Sequence, residues 1–218
     1  MKQRFERIFS VIPECSTFAD VGCDHGIISF EMLKKGKCAK LYYGDVSAPS
    51  LKKAEKLLSR FGEKAVGIHC DGLKNFPPCD CVLIAGMGGE NIIDIIDCAP
   101  FYPQTFVLQP MKNGDKVRRK LIEKGYFFSR DFKFFAENRY YDLMVAQKGE
   151  GVLTEEETLY GKDNVNFPSD DFLGFLKEEI AEKERIAALL TENKREEYLK
   201  KLEEEKELYE RLRIKRQA

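Results

Sequence analysis

A chain of 218 residues, 43% of them hydrophobic and 11% aromatic, holds enough apolar material for one full core and a small appendage, which excludes a disordered or low-complexity protein. Seven cysteines with no C-x-x-C pair argue against a disulfide framework or structural zinc, and no metal is expected. The net charge of −1 hides a division: residues 1–150 carry 23 Lys and Arg against 19 Asp and Glu, and residues 151–218 carry 13 against 18. The expected organisation is a larger unit over 1–150 and a helical unit over 151–218. No apolar run approaches the roughly 20 residues of a membrane-spanning helix. The opening MKQRFERIFSVIPE is charged throughout and lacks the apolar core of a signal peptide, so a cytoplasmic, membrane-free protein is expected, acting as a monomer or weak dimer.

In chain order, a short N-terminal helix carries Arg4 and Arg7. Thr17–Gly22 reads as a first strand, followed by a helix from about Gly26 to Lys35. Ala39–Val46 is a second strand; Ser47 can cap the next helix, Pro49 suits its first turn and Gly62 can end it. Ala65–Cys70, Val82–Ala85 and Thr105–Gln109 continue as strands, separated by helices over Glu90–Asp97 and Asp115–Lys124. Such alternation predicts a parallel sheet with right-handed crossovers. Tyr126–Glu137 and Tyr140–Gln147 are joined only by Asn138-Arg139, which permits an antiparallel hairpin and no parallel crossover. The expected class is therefore α/β: a mostly parallel seven-stranded sheet with an antiparallel last strand, the arrangement of Rossmann-like methyltransferases. Beyond residue 150, a capping box at Thr154–Glu157, an N-cap at Ser169 and a second capping signature at Asn193–Glu196 predict helices. A break near Thr191–Asn193 would fold the stripes Phe172, Leu176, Ile180, Ile186, Leu190 and Tyr198, Leu199, Leu202, Tyr209, Leu212 into a helical hairpin or coiled-coil arm.

Ligands of open α/β sheets bind at the carboxyl ends of strands, and four polar or glycine-rich stretches fall there. The first, ADVGCDHG, supplies Asp20, Gly22, Cys23, Asp24, His25 and Gly26. Its glycines permit a tight turn, but Asp24 stands where a dinucleotide fingerprint has glycine and would repel a pyrophosphate. A zwitterionic amino-acid group, its ammonium meeting an aspartate, suits it better. Asp45, followed by Val46, ends the second strand where an acid can accept ribose hydroxyl protons. Asp71-Gly72 can meet an adenine edge, and Ala85-Gly86-Met87-Gly88-Gly89 brings bare backbone to the centre of the sheet. Together these stretches suggest a site for S-adenosylmethionine. Gln109 ends the fifth strand where an amide could bond a base edge. Lys112, Lys116, Arg118, Arg119 and Lys120 form the densest basic cluster of the first 150 residues, with Arg4 and Arg7 as a second patch, suited to RNA phosphates. Arg211, Arg213, Lys215 and Arg216 at the end of the arm are weaker candidates for the same role. His69, inside a strand, reads as structural.

The stretches AD-x-GCDHG, GDVSAPSLKKA, DGL and IAGMGGE, with VLQPM (107–111) and VRRKLIEKGY (117–126), resemble the bacterial TrmK family over nearly the whole chain. These are tRNA (adenine-N(1))-methyltransferases acting on adenine 22. Two positions depart from the pattern: Ile27 stands where an aromatic often follows DHG, and Met111 where Asn is frequent after QP. The resemblance implies S-adenosylmethionine as methyl donor and tRNA as substrate, with Asp24, His25 and Gln109 as candidate catalytic residues. The adenine nitrogen carries a free lone pair, so transfer needs alignment rather than proton removal, and Asp24 could stabilise the cationic product. Methylation of another RNA, a protein or a small molecule, and non-catalytic binding, are the alternatives.

Overall fold

The computed structural model describes residues 2–217, the side chains of residues 192–194 excepted. The strands are β1 (Cys15–Val21), β2 (Cys38–Asp45), β3 (Ala65–His69), β4 (Cys81–Met87), β5 (Thr105–Pro110), β6 (Tyr126–Ala136) and β7 (Arg139–Lys148). The helices are α1 (Gln3–Val11), α2 (Ile27–Lys34), α3 (Ala48–Leu58), α4 (Gly89–Asp97), α5 (Gly114–Glu123), α6 (Glu155–Tyr160), α7 (Lys162–Asn166), α8 (Asp170–Leu189) and α9 (Glu192–Gln217).

One sheet contains all seven strands in the order β3-β2-β1-β4-β5-β7-β6. The first five run parallel and an antiparallel hairpin closes the sheet, as the sequence reading expected; within it β7 inserts between β5 and β6. The central strands are apolar on both faces because each face is covered. Phe18, Leu83 and Val107 point into the layer made by α1, α2 and α3, while Ala19, Val82, Ile84 and Phe106 point into the layer of α4 and α5. The hairpin turn lies one residue earlier than expected. Glu137 and Asn138 both adopt left-handed φ (52° and 60°), the geometry that matches strand twist in a two-residue turn, and Ala136 pairs with Arg139. Ser47 does cap α3; its α-helical part stops at Leu58, 3₁₀ turns follow, and Gly62, with φ 55° and ψ −135°, breaks the helical run as expected.

In the arm, α8 and α9 pack antiparallel. Phe172 and Leu176 meet Leu208 and Leu212 near the base, and Lys183–Glu205 and Lys206–Glu184 ion pairs join the helices further out. The break falls at residues 190–191; the expected Asn193 cap lies outside the described side chains. The apolar stripe is shorter than the sequence suggested, since Ile186 and Leu199 are exposed and Ala187 and Leu208 are buried instead. The basic residues of the arm's end are engaged internally: Arg211 with Glu156, Arg213 with Glu210, Lys215 with the Val165 carbonyl and Arg216 with Asp170.

Arg118 corrects a sequence expectation. It is 1% exposed and cannot reach RNA. Its Nε and Nη2 donate to the two carboxylate oxygens of Asp131 (2.8 and 2.9 Å), Nη2 also reaches Asp142 (3.4 Å), and Nη1 donates to the Thr158 carbonyl (3.3 Å). Burial alone would lower the guanidinium's pKa, but Asp131 and Asp142 outweigh it and raise it. Asp131 Oδ2 also accepts from the Lys162 amide (3.0 Å), so one buried ion cluster ties α5, β6 and β7 to α6 and α7. Arg118 and Lys120 look alike in sequence, but α5 turns Arg118 inward with Val117 and Leu121. Removing one partner of a buried pair leaves the other charged and unpaired. Arg118→Met is therefore expected to destabilise the chain by about 3–5 kcal/mol in urea unfolding; a loss below about 1 kcal/mol would return this residue to a surface role.

Candidate active site

A cavity of about 970 Å³ opens over the carboxyl ends of β1, β2 and β4, where the strand order reverses between β1 and β4. Its walls include the residues of the strand-end stretches expected to hold a cofactor, except Gly26 and the last two glycines of the β4 stretch, Gly88 and Gly89. Gly26 instead precedes α2 in a left-handed conformation, its backbone packed toward Ala54 and Leu58 of α3.

The turn from β1 into α2 is built on positive φ at Gly22 (72°), Asp24 (45°) and Gly26 (68°). A Cβ at Gly22 would meet the end of the Met87 side chain, so the turn after β1 touches the last residue of β4 at a positive φ that glycine adopts without strain. Asp24 is a residue type that tolerates this conformation, and its amide donates to Asp45 Oδ2 (3.1 Å). Asp45 Oδ1 accepts from the Ser47 amide (2.8 Å), so one carboxylate fastens the ends of β1 and β2. The Asp24 side chain turns outward and meets His25 Nδ1 at 2.6 Å, both half or more exposed. His69 Nε2 sits 2.9 Å from the Val46 carbonyl, consistent with a structural role.

Asp20 is 5% exposed and lines the cavity. Burial pushes its carboxyl up to about 6, although Ser29 Oγ donates to Oδ2 at 2.6 Å. The cavity's other carboxylates are Asp24, Asp45, Asp71 and Asp94, and Asp71 is paired with Lys74 at 2.6 Å.

The glycines after β4 have a structural cause as well as an open face. A Cβ at Gly89 would lie 2.5 Å from the Asn113 carbonyl oxygen. The Gly89 amide donates to Lys112 O (3.0 Å) and the Met111 amide to Met87 O (2.8 Å), zipping the loops after β4 and β5 together. Gln109 is fully buried and does not line the cavity; its carboxamide oxygen accepts from Arg4 Nε at 2.9 Å, and its nitrogen donates to the Pro110 carbonyl. Arg4, expected on an outer RNA-facing patch with Arg7, is half-buried in the cavity wall; Arg7 is exposed. Of the basic cluster, Lys116 pairs with Glu90 (3.0 Å), Arg119 with Glu155 (2.6 Å) and Lys120 with Asp97 (3.1 Å). Lys112 is exposed, arches over Gly88 and has no carboxylate partner among the described residues.

One wall was missed by sequence reasoning: Asn91, Asp94, Ile95 and Cys98 of α4 face the cavity. Their spacing was the available signal, since they fall on the helix face opposite the buried Ile92 and Ile96. A polar helix face reads as solvent-facing unless the neighbouring strand ends are known to open beneath it.

The uncompensated charge on Asp20 makes a signed prediction. Its folded-state pKa of about 6 exceeds the ordinary 3.8, so its contribution is most favourable to the fold below pH 4 and is lost as pH rises toward 6. Asp20→Asn should thus raise the melting temperature increasingly between pH 4 and 6 and by a constant amount above, worth up to about 3 kcal/mol. A variant no more stable than the parent at pH 7.5 would contradict this.

Comparison with known proteins agrees with the geometry. Residues 1–144 match a family model described as a methyltransferase domain. A Mycoplasma pneumoniae protein provisionally named as a tRNA methyltransferase is 28% identical over 182 residues, covering 79% of this chain and 85% of its own. The Mycoplasma capricolum TrmK structure, solved with S-adenosylhomocysteine, superposes with a TM-score of 0.87 at 19% identity over 96% of this chain and 98% of that one. The Bacillus subtilis m1A22 tRNA methyltransferase TrmK gives 0.82 at 21% identity, covering 97% and 98%. At such identities the superpositions establish the fold, and the family match supplies the kinship. With its cavity at the strand-order reversal and its closing antiparallel hairpin, the chain belongs to the methyltransferase-domain family.

Proposed function

We propose that the protein transfers a methyl group from S-adenosylmethionine to ring nitrogen 1 of an adenine in tRNA, at position 22 as in the relatives named for that activity. The observation that carries this reading is the cavity at the switch point, turned by Gly22 and acidic along its length. Asp20, Asp24, Asp45 and Asp71 suit a nucleoside bearing a positive sulfonium and disfavour a pyrophosphate. When bound, the donor supplies a methyl group activated by that positive sulfur.

The residues fit such a ligand. Each oxygen of Asp45 accepts one backbone N–H and keeps a lone pair for a ribose hydroxyl. Asp71, beyond the end of β3, stands where an adenine edge would lie, while Asp20 and the bare backbone of Gly22 serve the amino-acid end. Adenine nitrogen 1 presents its own lone pair, so the chain's task is to position and desolvate rather than to remove a proton. Asp24 and His25 at the rim can stabilise the cationic methylated base. Lys112, beside the β4 and β5 loops and without a carboxylate partner among the described residues, is the rim cation best placed for an RNA phosphate.

The direct test is to incubate the protein with S-adenosylmethionine and unmodified tRNA and analyse the digested nucleosides by mass spectrometry. 1-Methyladenosine at position 22 is expected; methylation confined to metabolites or protein would overturn the reading. Asp45→Ala should abolish donor binding in calorimetry while the fold is retained, and near-normal binding would refute the ribose assignment. Lys112→Glu should weaken tRNA binding and lower the salt slope by about 1; an unchanged slope would place the RNA elsewhere.

A further inference from the structure

Three thiols gather at the end of the sheet opposite the cavity. Cys15 opens β1, Cys38 opens β2 and Cys81 opens β4, and these strands are neighbours in the order β2-β1-β4. All three side chains belong to the core layer that faces α1, α2 and α3, with Cys38 and Cys81 buried and Cys15 half-buried at its edge. The parallel register sets Cys15 directly beside Cys38, whereas Cys81 pairs with Phe18, three residues further along β1. Two hydrogen bonds fix these strand starts: the Cys15 amide donates to the Lys37 carbonyl (3.0 Å), and the Asp80 amide to the Thr17 carbonyl (3.1 Å). Among the described residues no three His, Cys, Asp or Glu side chains are disposed to hold a metal, so the chemistry open to this cluster is that of thiols.

Its members are not equivalent. The Cys81 thiol and, more weakly, the Lys37 ammonium pull the Cys15 pKa below the ordinary thiol value, against burial and Asp80. Burial, with Cys15 alongside, pushes Cys38 up to about 12. Lys37 is held in place by the Phe9 and Ile12 carbonyls at the end of α1. Cys15 is thus the accessible member that ionises more readily, and Cys38 is a protonated neighbour kept from solvent. Paired residues of adjacent strands lie about 4.8 Å apart, within the roughly 4.4–6.8 Å that a disulfide spans between Cα atoms. Cys81, offset by three residues of about 3.3 Å each, has its backbone beyond that span; it can polarise Cys15 but is poorly placed to bond it.

We propose that Cys15 is an oxidation site for peroxides, with Cys38 as the thiol that converts it to an intrachain disulfide. The Cys15 thiolate attacks one peroxide oxygen and breaks the O–O bond, leaving a sulfenic acid and releasing hydroxide, which takes up the proton Cys15 gave up. The Cys38 sulfur then displaces the sulfenic hydroxyl group, and its own proton leaves with that oxygen as water. In sum, two thiols and one hydrogen peroxide become one disulfide and two waters. The new bond joins β1 to β2 beside the Lys37 contact that anchors α1.

The test treats the freshly reduced full-length protein with stoichiometric hydrogen peroxide and follows its cysteines by peptide mass spectrometry. A Cys15–Cys38 linked peptide is expected, two hydrogens lighter than the reduced pair and reversed by dithiothreitol. This readout needs no substitution, so it does not depend on a variant folding. In Cys38→Ala the reaction should stop at the Cys15 sulfenic acid, trapped by dimedone roughly tenfold more than in the parent. Cys15→Ser should remove the link and slow the oxidation of Cys38 by roughly tenfold, an effect that a merely structural Cys15 would not have. Oxidation of the exposed Cys98 while Cys15 stays reduced would overturn the assignment, because exposure alone would then govern reactivity. A Cys15–Cys81 link would overturn it too, since it contradicts the choice of Cys38 from the strand register.

Discussion

The hydrogen bond from the Asp24 amide to Asp45 holds the site together. It joins two parallel strand ends through a turn that needs left-handed backbone at Gly22, Asp24 and Gly26. A non-glycine residue in that region costs on the order of 1 kcal/mol and persists only where its surroundings fix it. Here the Asp45 carboxylate does so from one side, and Met87 closes over Gly22 from the other. If this turn relaxed, the start of α2 would shift, Asp45 would lose its orientation and the loop after β4 would lose its contact.

Two buried carboxylates in this chain have different partners: one faces a buried cation, the other does not. Asp131 receives two guanidinium nitrogens and the Lys162 amide, which work against a burial that still raises its pKa. Asp20 is met only by Ser29, through its hydroxyl and its backbone amide, and by no cation within ion-pair distance among the described residues. The first arrangement ties the sheet to the helices that follow it; the second stores an unmet demand for positive charge inside a cavity. A structural ion pair has no reason to leave such a demand open, whereas a binding site gains affinity from it. The same reasoning distinguishes Arg118, enclosed by acids, from Arg4, held by a neutral amide.

Much of this was legible in the sequence. The strand–helix alternation and the two-residue link before β7 specified the sheet and its antiparallel closure, because a short connection permits no other topology. The strand-end acids and glycines were found for the same reason: in a parallel sheet, chain position implies spatial position. What stayed hidden was orientation within helices. Arg118 and Lys120 are two residues apart in one basic run, yet one is engulfed and the other half-exposed, and the difference lies in Asp131 and Asp142, 13 and 24 positions further on, which no helical periodicity within α5 announces. Gln109 and Arg4 were each noticed, but their pairing spans 105 positions and no local pattern announces it. The α4 wall was missed because a polar helix face carries the same signature whether it meets water or a ligand.

Pairing also decides where a polyanion could be attracted. An acidic cavity repels phosphate, and exposed cations already bonded to carboxylates add little beyond a Debye length of about 8 Å. Lys116, Arg119 and Lys120 are in that condition, and so are Arg211, Arg213 and Arg216 at the end of the arm. The arm therefore works mechanically more than electrostatically: its cations fasten it to α6 and to its own base, and its aromatic side packs Phe175 against Tyr140 and Lys133 of the hairpin. On the proposed reading, attraction for RNA would fall to the few cations near the cavity mouth that lack such partners, Lys112 among them. A small number of phosphate contacts gives a shallow salt dependence and modest affinity, so under the proposed function the choice of one nucleotide would come from the shape of the mouth rather than from the charge of the molecule as a whole.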